Sequence, residues 1–72
     1  MSYGRWLASE LARRRISQRS LAVRAGIDHS TISRIVRAEV DPLVSTAARI
    51  AGVVGWPPLE VLGGMQRLGG QR

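Results

Sequence analysis

The sequence predicts an all-α domain of five short helices around one core, and three observations carry that prediction. Apolar residues recur three and four positions apart in successive segments, the stripe that a helix turns toward a core. Glycines, prolines and a run of arginines stand between those segments, where helices stop and start. No stretch alternates apolar and polar residues as a half-buried strand would, and no internal repeat is present. At 72 residues the chain makes a single domain. A chain this short buries only about 60% of its extended surface and cannot divide that between two cores.

Residues 3 to 14 read as the first helix. Trp6 and Glu10, like Leu7 and Leu11, are i, i+4 pairs, and Ala8 and Ala12 are strong helix formers. Arg13, Arg14 and Arg15 close it, where cations favour the negative end of the helix dipole. The trio reads as a solvated helix end or as a phosphate contact, with Arg14 carried forward in the second role. Ile16 then anchors a short link into the core. Ser17 caps the next helix by accepting an amide proton from its first turn.

The stretch from Gln18 to Arg37, QRSLAVRAGIDHSTISRIVR, is the one the rest is organised around. Leu21, Ala22 and Ala25 share one face of a second helix. Gly26 stops it, because glycine accepts the left-handed conformation that closes a helix. Asp28 caps a third helix over residues 28 to 37, with Ile32, Ile35 and Val36 as its inward stripe. The opposite face carries His29, Ser30, Ser33, Arg34 and Arg37, all able to hydrogen-bond to bases or phosphates. Two short helices joined by a glycine turn, with a basic polar outer face, predict a DNA-binding helix-turn-helix.

Past Arg37 the run AEVDP leads to Pro42, which opens a fourth helix over residues 43 to 54. Its stripe is Val44, Ala47, Ala48, Ile50, Ala51 and Val54, and Gly55 ends it. Trp56 is expected in the core, sealing the last helix against the fourth; the alternative puts it with Leu59 and Leu62 at a dimer interface. Pro57 and Pro58 lead into a last helix, Leu59 to Leu62, closed by Gly63 and Gly64. The domain is expected over residues 1–63 and a flexible tail over 64–72, where glycines and polar residues leave too little to pack.

Charge placement supports a nucleic-acid partner. The formal net charge is +6, and residues 1 to 37 hold eight arginines against Glu10 and Asp28, which is the whole excess. Residues 38 to 72 balance Arg49, Arg67 and Arg72 against Glu39, Asp41 and Glu60. A basic half that coincides with the reading unit is the expected electrostatic footprint on phosphates. All eleven basic residues are arginine. A GC-rich coding genome produces that usage, which also suits bidentate contact with guanine and phosphate. With no cysteine there is no disulfide framework or thiolate metal site. No apolar run reaches the roughly 20 residues of a membrane span, and no signal-peptide core is visible. A cytoplasmic location in a bacterial host cell is the expectation.

Taken in order, Gln18, Leu21, Ala22, Gly26, Ser30, Thr31, Ile32, Ser33, Ile35, then Asp41-Pro42, Ile50-Ala51 and Val54-Gly55 resemble the lambda-repressor-like, Cro/C1-type (XRE) helix-turn-helix family over roughly residues 5 to 62. The resemblance implies a five-helix domain whose third helix enters the major groove. It implies base contacts from His29, Ser30, Ser33 and Arg34. It also implies that Gln18 packs on the DNA backbone and that Arg37 touches phosphate. Thr31, Arg19 and Arg14 complete the expected phosphate-facing set, while Arg24 adds general electrostatics. Two positions depart from the family pattern, which often has glutamate at Val36, paired with an arginine near Ala12, and glycine at Ala38. Apolar residues at both Val36 and Ala12 leave no orphaned charge. The resemblance is weakest over the loop from Ala38 to Asp41.

The resulting expectation is a sequence-specific regulator of transcription that binds double-stranded DNA, Cro-like or a minimal repressor, of phage or bacterial type. It has no cofactor, no metal and no small-molecule substrate. Weak homodimers form through Leu59, Val61 and Leu62. A hydrolase is disfavoured because the one histidine, His29, has only Asp28 beside it to orient it. The competing reading is an antitoxin or phage-encoded antagonist that acts mainly through protein binding on the same fold. A membrane-surface peptide built on the basic first helix fits poorly with the regular fourth helix and the full set of turn signals.

Overall fold

The computed structural model describes residues 2–63. Among them the chain forms five helices: α1 Tyr3–Arg14, α2 Gln18–Ala25, α3 His29–Val36, α4 Val44–Val54 and α5 Leu59–Gly63. The first three start on side-chain caps. Ser2 Oγ accepts the Arg5 amide at 3.2 Å, Ser17 Oγ the Ser20 amide at 3.0 Å, and Asp28 Oδ2 the Ser30 amide at 3.2 Å. Each cap satisfies a donor that a helix start would otherwise leave unpaired. Helix α4 has no such cap. It begins at Val44 rather than at residue 43, with Leu43 extended ahead of it and Pro42 buried. Pro42 thus lies outside the first turn, ahead of the extended Leu43, and disfavours helical backbone only at Asp41 before it.

Three helices end in one pattern, two amides reaching back over a residue in the left-handed conformation. After α1, Arg15 and Ile16 donate to Ala12 and Leu11 at 3.2 and 2.9 Å; after α2, Gly26 and Ile27 donate to Val23 and Ala22 at 3.3 and 2.9 Å. After α3, Ala38 and Glu39 donate to Ile35 and Arg34, both at 2.9 Å. The left-handed residues are Arg15, Gly26 and Ala38, with φ of 58°, 69° and 61°.

The core draws on every helix. Tyr3, Trp6, Leu7 and Leu11 of α1 meet Leu21, Ala22 and Ala25 of α2, Ile32 and Ile35 of α3, Ala47, Ile50 and Val54 of α4, and Val61 of α5. Helix α3 packs against both α1 and α2, α4 against α2, and α5 against α1. At roughly 1.5–3 kcal/mol for each large side chain removed from water, Ile32 and Ile35 hold α3 firmly by one face. Its other face remains outside. Helix α1 approaches α3 through Gly4, which is buried; a Cβ there would strike the Ile35 carbonyl oxygen and press on the Ala38 amide at 3.2 Å.

Two expectations for the C-terminal part are corrected. Trp56 is 52% exposed and does not seal α5 against α4. Gly55 ends α4 with φ 84°, and in the extended link beyond it successive residues face opposite ways. Pro57 therefore turns inward, while Trp56 and Pro58 turn out. Val61 is only 2% exposed and packs into its own chain's core, so it is not free for a dimer interface, whereas Leu59 is 82% exposed and Leu62 is partly buried. In so short a helix, only one side can face α1. The expected tail, residues 64–72, lies outside the described residues.

Candidate nucleic-acid interface

The interface is built on the pair α2 and α3 and the turn between them. Gly26 takes the left-handed conformation that the sequence predicts, and Ile27 packs on the core margin and fixes the turn from inside. From outside, Arg49 of α4 donates to the Gly26 carbonyl oxygen at 3.1 Å. That carbonyl, at a helix end, carries partial negative charge that a guanidinium satisfies. Nothing in the local sequence marks Arg49 for this role, because only the fold brings residues 26 and 49 together.

Along α3 the outward residues follow the expected face. His29, Ser30, Arg34 and Arg37 are exposed, and Thr31 and Ser33 are half-buried at its flanks. Among the described residues Arg34 and His29 make no side-chain hydrogen bond, so the Arg34 guanidinium keeps all five donors available. Ser30 donates its hydroxyl proton to Asp28 Oδ2. That bond, with a further one from the Ser30 amide, holds the Asp28 carboxyl below its usual range, so it stays ionised at neutral pH.

Arg37 is more engaged than its sequence position foretells. Its Nε donates to Glu39 Oε2 at 2.7 Å and one terminal nitrogen donates to Ser33 Oγ at 3.0 Å. The Arg37 guanidinium in turn keeps Glu39 ionised below the ordinary carboxylate range. Opposite charges two residues apart are legible in the sequence as a signal for this pair.

The remaining expected phosphate-facing residues fall into two groups. Gln18 is half-buried at the first turn of α2, and Arg19 is exposed beside it with no side-chain hydrogen bond among the described residues. Arg14 is committed elsewhere: its Nε donates to Glu10 at 2.9 Å and a terminal nitrogen to the Val54 carbonyl at 3.1 Å. It ties the end of α1 to the end of α4, and Glu10 also takes Arg13 at 2.8 Å. These bonds draw the Glu10 carboxyl down.

No helix among the described residues is long and apolar enough to cross a membrane. The pattern of one protein family, described as helix-turn-helix, matches residues 7–61, which is 55 of the 72 positions and runs from α1 to α5. No curated protein and no solved structure matches the chain. With a family match over three quarters of its length and a glycine turn set between two capped helices, this chain belongs to the Cro/C1-type helix-turn-helix family of DNA-binding transcription regulators.

Proposed function

We propose that this protein is a sequence-specific transcriptional regulator, Cro-like or a minimal repressor, that reads the major groove of an operator with α3 in a bacterial cytoplasm. The observation that carries the reading is the outer face of α3, where the Arg34 side chain stands exposed and free of hydrogen bonds among the described residues. A free guanidinium one turn into a recognition helix suits the two acceptors of guanine. His29, Ser30 and Ser33 share the base-reading role. Gln18, Arg19, Thr31 and Arg37 hold the backbone, and Arg14 joins them only by leaving Glu10 and Val54. Such domains bind two half-sites about one helical turn apart. Pairing on DNA falls to Leu59 and Leu62, because Val61 is buried in the core.

The test separates reading from holding. Duplex affinity should fall with salt at a log–log slope of at least about −4 for a dimer with several phosphate contacts per subunit. Arg34→Ala should narrow the gap between a selected site and scrambled DNA by about 1 to 3 kcal/mol. Arg37→Ala should weaken both duplexes alike and flatten the slope by about one. A slope near zero on every duplex would sink the proposal. It would favour the second reading, an antitoxin or antagonist that binds protein, for which the exposed Trp56 and Leu59 speak.

A further inference from the structure

Two serines on α3 are held with opposite hydrogen-bond polarity. We infer that this polarity decides which base edges they read, with Asp28 and Ser30 together selecting cytosine. The inference rests on the DNA-binding reading above and deepens it. A serine hydroxyl has one proton to give and two lone pairs with which to accept. Ser30 gives its proton to Asp28 Oδ2, the same oxygen that accepts the Ser30 amide at 3.2 Å. Toward solvent Ser30 therefore offers lone pairs alone, next to Asp28 Oδ1, which none of the described hydrogen bonds uses. Both residues are exposed, and the carboxylate is ionised. The start of α3 is an acceptor-only edge.

Ser33 has the reverse polarity. Its Oγ accepts from Arg37 at 3.0 Å, and Arg37 is fixed in turn by Glu39 at 2.7 Å. A guanidinium has no acceptor, so the Ser33 hydroxyl keeps its own proton to donate. One turn apart, α3 thus presents an acceptor and then a donor.

The major groove distinguishes these. Amino donors are cytosine N4 and adenine N6, whereas guanine O6 and N7, adenine N7 and thymine O4 accept. Facing an acceptor-only edge that carries full negative charge, adenine places its N7 lone pair beside N6 and is repelled. Cytosine has a carbon at the corresponding place and is not. Asp28 and Ser30 therefore read cytosine N4. Ser33 reads an acceptor, on guanine, thymine or adenine N7. Arg34, four residues beyond Ser30, takes the guanine acceptors.

Asp28→Asn is the discriminating variant. Asparagine caps a helix as well as aspartate does, so α3 is retained. Its side chain adds a donor to the acceptor, the pairing that suits adenine N6 and N7. Wild type and Asp28→Asn are each used to select bound duplexes from a random pool. The wild type should enrich cytosine at one position, and Asp28→Asn should switch that position to adenine, with a change in the cytosine-to-adenine ratio of about tenfold or more. Ser30→Ala, which leaves the carboxylate in place, should weaken the cytosine preference without a switch to adenine. Ser33→Ala should leave that position alone and relax a second one.

If the wild type enriches a site and neither Asp28→Asn nor Ser30→Ala alters any base in it, the polarity assignment is wrong while DNA binding stands. If the wild type enriches nothing, the DNA-binding reading falls and this inference falls with it.

Discussion

Helices α2 and α3 end with the same pair of back-reaching amides, yet the residue at the turn differs. After α2 it is Gly26 with φ 69°, and after α3 it is Ala38 with φ 61°. Glycine takes that conformation freely, but an L-residue with a Cβ pays about 1–2 kcal/mol for it. The first exit is therefore instructed by its own residue. The second is imposed from elsewhere: Ile35 is buried, and Gly4 brings the α1 backbone against Ile35 and Ala38. Identical backbone geometry thus arises once from local preference and once from packing. The difference predicts which substitutions each exit tolerates.

The largest effect should come from the buttress of the imposed exit. Gly4→Ala drives a Cβ into a backbone carbonyl that cannot rotate aside, and overpacking of this kind costs typically 1–3 kcal/mol, here about 3. Urea unfolding of the two proteins is the measurement; a loss below about 0.5 kcal/mol, the range of ordinary surface changes, would mean that α1 does not brace α3.

Alkaline pH attacks the same buttress from the neighbouring residue. Burial pushes the Tyr3 hydroxyl from its ordinary 10 up to about 12. Because the folded-state pKa is the higher one, the stabilisation is complete below pH 10. It is lost as pH rises from 10 through about 12, by about 2 to 3 kcal/mol in all. Thermal melts between pH 9 and pH 12 should show the decline, and Tyr3→Phe should flatten it.

At the instructed exit, Gly26→Val puts a branched residue at positive φ, 3.3 Å from the Arg49 guanidinium, at a cost of roughly 1–2 kcal/mol. Equal melting midpoints for the two proteins would show that this turn, too, is held by packing. The smallest effect has the opposite sign. Ala38→Gly relieves strain of about 1–2 kcal/mol but frees the unfolded chain by about 0.4–1, for a net gain of about 0.5–1 kcal/mol. A melting point raised by a few degrees is expected at this size, and a lowered one would show that Ala38 is not strained.

Much of the fold is legible because its instructions are local. Ser17, Gly26 and Asp28 act on amides and carbonyls within five residues, and the stripes Leu21, Ala22, Ala25 and Ile32, Ile35 name their buried faces directly. Trp56 departs from its expected place for the opposite reason. Size and hydrophobicity recommend it for the core, but the direction in which Gly55 sends the chain decides which of Trp56 and Pro57 is inside. The polar face of α3 is legible as a set of residue types. The state in which each residue is held is not, since it depends on which neighbours a hydroxyl or guanidinium meets.

The sequence by itself determined, to within a residue or so, where the helices begin and end, which faces of α2 and α3 go inward, and that the basic excess lies on the half holding the reading unit. Those properties follow from spacing, capping and counting along the chain, and they operate over distances of a few residues. In α4 the sequence placed Val44 and Ala48 on the inward stripe, and both are exposed. Only the tertiary structure decided that Arg49 grips the turn 23 residues away and that Arg14 is tied to the end of α4. It alone decided that Val61 belongs to the core, and that Gly4 must be glycine for Ala38 to stand where it does. Each of these is a meeting of groups far apart in the chain, fixed only once the whole core has closed around them.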